Sequence, residues 1–158
     1  MRRILEVAAI LLLLYLWGIT AHAILGSDPL PPRIPTHFNL AGQPDGWGTP
    51  GMLWMLPAIG TGIFLLMTLV SRFPAAFNFP MRVSSHGRRQ LETISLNMIS
   101  WLKAEMICLF AWIQYWTIRM VRQGKGSLSS ASVPVLTIVV FGTIAWHIAA
   151  MLRTARSS

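Results

Sequence analysis

Four long apolar runs, at 4–25, 52–70, 94–118 and 133–152, limit what this chain can fold into more than any other feature. Each approaches the roughly 20 residues that a helix needs to cross a bilayer. Backbone amides in hydrocarbon are satisfied only within helices or closed barrels, and unbroken runs of this kind lack the alternation of barrel strands. The runs therefore predict an all-α membrane protein with four transmembrane helices and a single membrane domain over 1–158. Composition agrees: 54% of residues are hydrophobic and 11% charged, against roughly 45–50% and about 25% in soluble domains.

The formal net charge is +8, yet the cations flank the apolar runs instead of collecting on one globular face, which argues against a nucleic-acid partner. Arg2 and Arg3 precede the first run. Arg72, Arg82, Arg88 and Arg89 fill the second connection, and Arg153 and Arg156 close the fourth. An even number of spans puts these segments on one side, which the positive-inside rule makes cytoplasmic, with both termini. Arg119, Arg122 and Lys125 conflict with that topology, because they place positive charge in an outer connection. The start, with "MRR", an apolar core and "AHA" at 21–23, has the order of parts of a signal peptide. Its apolar run is longer than the usual 7 to 15 or so residues and contains Glu6, which favours a retained first span. Cys108 is the lone cysteine, so no intramolecular disulfide is available.

The third run holds Lys103 and Glu105. Its uncharged part, 106–118, reaches only about 20 Å at 1.5 Å per residue, short of a core of roughly 30 Å, so both ionisable groups belong to the membrane segment. Such groups cost about 2.5–3.5 kcal/mol each and are functional candidates by default. Two positions apart on a helix, they point about 200° from each other, and each needs its own partner. Lys103 is expected to reach back to the headgroups, Glu105 to meet water, a basic side chain nearby or His147 of the fourth run, and Glu6 to stay near Arg2 and Arg3. Ala58 with Gly62, and Ala145 with Ala149, have the small-xxx-small spacing of close helix contacts. The Ser-rich stretch at 126–132 reads as a turn and helix start.

Between the first two runs, 26–50 is a polar connection too long to be a simple link. Pro32 and Pro35 favour an extended stretch at 33–39, with His37 and Asn39 on one side and Thr36 and Phe38 on the other. The order Gln43-Pro44-Asp45-Gly46 fits a type I turn, and Leu40-Ala41-Gly42 a second reversal. The segment thus predicts a structured external cap, with Trp47 and Trp54 at the outer interface. His37, Asn39, Asp45 and Trp47 are its candidate binding residues, and Pro35, Gly42, Pro44 and Gly46 its structural ones.

The "PTHFN" of 35–39 followed by "GQPDGWG" at 42–48 resembles the signature loop of the bacterial membrane family known as domain of unknown function 1648, which also forms the front part of SdpI-type immunity proteins. "WLKAE" at 101–105 and "FAWIQ" at 110–114 are similar to its small four-helix members. The resemblance implies a bacterial cytoplasmic-membrane protein. For SdpI-like members it implies protection from a secreted peptide toxin and capture of a repressor at the membrane.

Three functions stay open on the residues. The first is non-enzymatic recognition, SdpI-like immunity or signalling through the cap, with a peptide or another membrane protein as partner and a homo-oligomer as an option. The second is a small transporter or proton-handling subunit using Glu105, Lys103 and His147. The third is a metal-dependent enzyme built on His22, His37 and Asp45, two imidazoles and a carboxylate of the kind zinc accepts. The chain has no metalloprotease histidine pair, nucleophile motif or phosphate-binding glycine loop, so neither a catalytic residue nor a cofactor is expected.

Overall fold

The computed structural model describes residues 1–39, 41–80, 83–124 and 132–156. Leu40, Arg82, Lys125 and most of the Ser-rich turn expected at 126–132 lie outside them. Helices α1 (Arg2–Leu25), α2 (Met55–Val70), α3 (Ser85–Gln123) and α4 (Ser132–Arg156) carry the four apolar runs. All four runs sit on helices long and apolar enough to cross a membrane; in the second, the span begins in the 3-10 turn Pro50–Trp54 that leads into α2. Between α1 and α2 the connection folds into a small antiparallel hairpin, β1 (Ile34–Phe38) with β2 (Pro44–Gly48). The protein is an all-α membrane-type fold with a structured long connection.

Polar contacts fix the direction of each helix. Glu6 meets Ser100 and Lys103, and Thr20 meets Gln114, so α1 and α3 run parallel. Thr68 meets Lys103 and Leu53 meets Gln114, so α2 runs against α3. Glu105 meets Thr143, and α4 packs mainly on α3. The third helix is the hub.

Helix α3 starts where Ser84 accepts a hydrogen bond from the Gly87 amide, a side-chain N-cap, and ends at Gly124, whose φ of +64° closes the helix in the left-handed region. Its 39 residues make about 58 Å of helix, nearly twice the hydrocarbon core. The surplus includes the first turns, where Arg88 donates to the Ala75 carbonyl and pairs with Glu92, tying α3 to the α2–α3 connection. In contrast to that polar start, Leu16 and Ile107 are fully buried where α1, α2 and α3 meet at Gly60, and Ala9, Ala23, Ala104 and Ala111 of α1 and α3 are buried too. Small residues let α1 and α3 approach closely.

Close approach in α2 runs through Gly60, not through the expected Ala58 and Gly62. A methyl on Gly60 would come within 3.3 Å of Phe110, 3.5 Å of Ile107 and 3.6 Å of Leu16, the junction of three helices, whereas a methyl on Gly62 would meet, beyond its own helix backbone, no atom of the described residues within 4 Å. Ala58 and Ala145 are exposed. Helical phase explains the difference: Gly60 lies on the stripe that includes buried Pro57, and Ala58 and Gly62 lie off it. Ile4, Leu11 and Leu14 of α1, Leu65 and Leu66 of α2, and Ile138, Phe141 and Trp146 of α4 all point outward and are exposed. An apolar exterior this continuous suits hydrocarbon, not water.

Candidate functional site

The hairpin is built from a reversal at 39–43. The Asn39 carboxamide oxygen accepts from the amides of Ala41 and Gln43, both at 3.0 Å, while the Asn39 amide donates to the Gln43 carbonyl at 2.9 Å and Gly42 donates back to the Asn39 carbonyl at 2.8 Å. Gly42 has φ +74°, a left-handed conformation that glycine adopts without strain. The type I turn expected at 43–46 does not form, because Pro44, Asp45 and Gly46 belong to β2. Asn39 can satisfy two loop amides at once, a bonding pattern that a turn centred on Pro44 cannot offer.

Two register shifts then place the polar residues. Pro35 pairs with Trp47, His37 with Gly46 and Phe38 with Pro44, so Thr36 is extra in β1 and Asp45 extra in β2. The alternation expected for 36–39 is broken: Thr36 and His37 are both exposed. The bulges bring His37 Nδ1 to 2.5 Å from Asp45 Oδ1, with side chains 72% and 44% exposed. Gly46 has to be small here, since a Cβ would sit 2.8 Å from the His37 Cβ. Trp47 is exposed and, with Pro35 and Pro44, borders a cleft of about 180 Å³ against Met120 and Val121 of α3.

Beneath the hairpin is a larger cavity of about 390 Å³, with Ile34, Phe38, Met52, Leu56 and Ile113 among its apolar walls and His37 at its border. Its polar lining includes Gln114, which donates to Thr20 Oγ1 at 2.7 Å and to the Leu53 carbonyl at 2.9 Å. Those bonds tie the start of α2, and so the exit of the hairpin, to α1 and α3.

Toward the chain termini the same three helices enclose an ion pair. Lys103 does not reach for the headgroups. Its side chain is 1% exposed, and Nζ donates to Glu6 Oε2 at 2.7 Å and Thr68 Oγ1 at 2.9 Å, with the Phe64 ring at 4.8 Å. Ser100 donates to the other Glu6 oxygen at 2.9 Å. Glu6 therefore turns inward instead of staying with Arg2 and Arg3, because a cation in hydrocarbon and a carboxylate one turn from the headgroups stabilise each other more than either is stabilised alone. Glu105 faces α4, where Thr143, not His147, donates to it at 2.6 Å. His147 instead donates from Nδ1 to the Thr143 carbonyl of its own helix at 2.8 Å. The second Glu105 oxygen is buried without a partner among the described residues.

His22 is not brought to His37 and Asp45. No three His, Cys, Asp or Glu side chains converge on a metal-sized site among the described residues. His22 instead lines a groove between α1 and α3. Thr20, Thr68 and Thr143 are polar partners of Gln114, Lys103 and Glu105 that the apolar runs do not single out. Thr20 and Thr68 also donate to carbonyls four residues back, the ordinary behaviour of a threonine in an apolar helix, so their pattern carries no signal. Thr143 lies one turn before His147, and that spacing was the clue available.

Residues 7–61 match the family model described as domain of unknown function (DUF1648). The DUF1648 resemblance holds for this stretch. It covers most of α1 from Val7 onward, the hairpin and the first turns of α2, the elements that roof and border the cavity. A protein of Archaeoglobus fulgidus described as uncharacterized is 35% identical over 75 residues, which is 42% of this chain and 41% of that protein. The match thus spans about two-fifths of that relative's length. No solved structure matches the chain.

Proposed function

We propose that this multi-pass membrane protein is a non-enzymatic recognition module of the bacterial cytoplasmic membrane, with both termini cytoplasmic and the hairpin outside, and that its ligand is a secreted amphipathic peptide, as in SdpI-like immunity. The observation that carries the reading is the cavity of about 390 Å³ roofed by the hairpin, with exposed His37, itself paired to Asp45, at its border. That size is near the lower end for ligand pockets, enough for one or two apolar side chains, and the pair supplies a polar rim. Orientation is supported by Arg2, Arg3, Arg72, Arg88, Arg89, Arg153 and Arg156, which cluster at the end opposite the hairpin. The DUF1648 match, centred on the hairpin and its flanking helices, points to the same region.

Challenge with secreted peptide toxins tests this. Cells carrying the chain are expected to tolerate a toxin that kills cells without it, and His37→Ala with Asp45→Ala to abolish tolerance at unchanged membrane abundance. A photoreactive residue at Phe38 should then gain the mass of that toxin. Tolerance that survives both substitutions overturns the reading. A second reading, proton handling, draws on the buried Glu105 oxygen that has no partner among the described residues. It requires that Glu105→Gln stop proton flux in liposomes, and unchanged flux removes it.

A further inference from the structure

The positive charge at 119–122 that conflicts with the topology rule sits at the mouth of a groove of about 600 Å³ between α1 and α3. We infer that this groove holds an anionic phospholipid, its phosphate on Arg119 and Arg122 and an acyl chain on the apolar floor. The inference is independent of the ligand proposed for the hairpin.

The floor is formed by Ile19 and Ile118, and it is open because residue 18 is glycine: beyond the adjoining chain, no atom of the described residues lies within 4 Å of where its Cβ would be. The parallel register, with Thr20 beside Gln114, places His22, Arg119 and Arg122 at the last turns of both helices, just before the chain leaves them at Gly26 and Gly124. Gly18 lies about 6 Å deeper than His22 by helical rise. One groove therefore has a cationic mouth at headgroup depth and an apolar floor at acyl depth, the two parts of a phospholipid.

The arginines differ in how they are held. Arg119 lies over the Trp116 ring at 5.1 Å and donates to Tyr115 Oη at 3.3 Å, and no carboxylate pairs with it among the described residues. A guanidinium has five N–H donors, so a fixed Arg119 keeps most of its fork for phosphate oxygens. Arg122 pairs with Asp28 at 3.8 Å, but Asp28 is 74% exposed, and a loose surface pair of this kind is weak enough to yield. A zwitterionic lipid would bring its own ammonium beside these cations. Free phosphate would leave the floor unused.

The test is native mass spectrometry of the full chain in detergent, titrated with phosphatidylglycerol, phosphatidylcholine or inorganic phosphate. One phosphatidylglycerol is expected to bind at least tenfold more tightly than phosphatidylcholine. Arg119→Gln with Arg122→Gln is expected to weaken it by a factor of about 30, about 5 per cation near an anionic lipid surface. Gly18→Leu, which fills the floor without touching the mouth, should weaken both lipids, and millimolar inorganic phosphate should not displace the bound lipid. Equal binding of the two lipids, indifference to Gly18→Leu, or displacement by inorganic phosphate overturns the inference. If the double arginine variant does not fold, Gly18→Leu and the lipid comparison decide alone.

Discussion

Replacing Lys103 by methionine keeps the length of the side chain and deletes its charge, leaving Glu6 without its cation. Lys103 is 1% exposed and makes two hydrogen bonds and a ring contact, whereas Glu6 is 28% exposed. Breaking a fully buried pair costs about 3–5 kcal/mol. Because some water reaches Glu6, the lower end, about 3 kcal/mol, is expected here. Glu6→Leu should cost more, toward about 5 kcal/mol, since it leaves the fully buried Lys103 cation with only the Thr68 hydroxyl and the Phe64 face. Removing both charges, Glu6→Leu with Lys103→Met, should return stability to within about 1 kcal/mol of the parent. No orphan is created, because Ser100 and Thr68 also donate to the carbonyls of Leu96 and Phe64 in their own helices. Reversible unfolding in mixed detergent–SDS micelles, followed by circular dichroism, measures all four proteins. A double variant whose loss equals the sum of the single losses, within the roughly 0.5 kcal/mol scatter of independent sites, would refute the pairing.

Gly60→Val should destabilise by about 1–3 kcal/mol by overpacking the α1–α2–α3 junction, while Gly62→Val should stay within about 0.5 kcal/mol; the same unfolding assay compares them. Asn39→Ala removes two hydrogen bonds from the hairpin reversal and should loosen it by about 1–2 kcal/mol. Faster amide exchange at Ala41 and Gln43, with α3 unchanged, is the expected signature.

The fold class was legible because hydrophobic run length is a local property, and each run can be read without knowing its neighbours. The extended stretch at 33–39 was legible for a similar reason, since Pro35 excludes helix there. The location of the reversal was not. Asn39 and Pro44 both carry turn signals, and which one wins depends on two backbone amides that only the folded hairpin presents to Asn39. In α3, the spacing of Lys103 and Glu105 correctly implied separate partners, but not which. Glu6 lies 97 positions from Lys103, and a glutamate one turn into a helix looks the same whether it faces water or a buried lysine. The groove at Gly18 was equally hidden, since a glycine inside an apolar run gives no sign of whether a neighbour fills the space.

The placement of the hairpin on the outer face is tested most directly by cysteine labelling in a Cys108→Ser background. Ala41, at the exposed tip of the hairpin, and Arg89, exposed near the start of α3, are replaced singly by cysteine. A hairpin outside the cell requires that a membrane-impermeant maleimide label position 41 in intact cells and position 89 only after permeabilisation. Labelling of position 89 in intact cells, with position 41 protected until the membrane is opened, would contradict it.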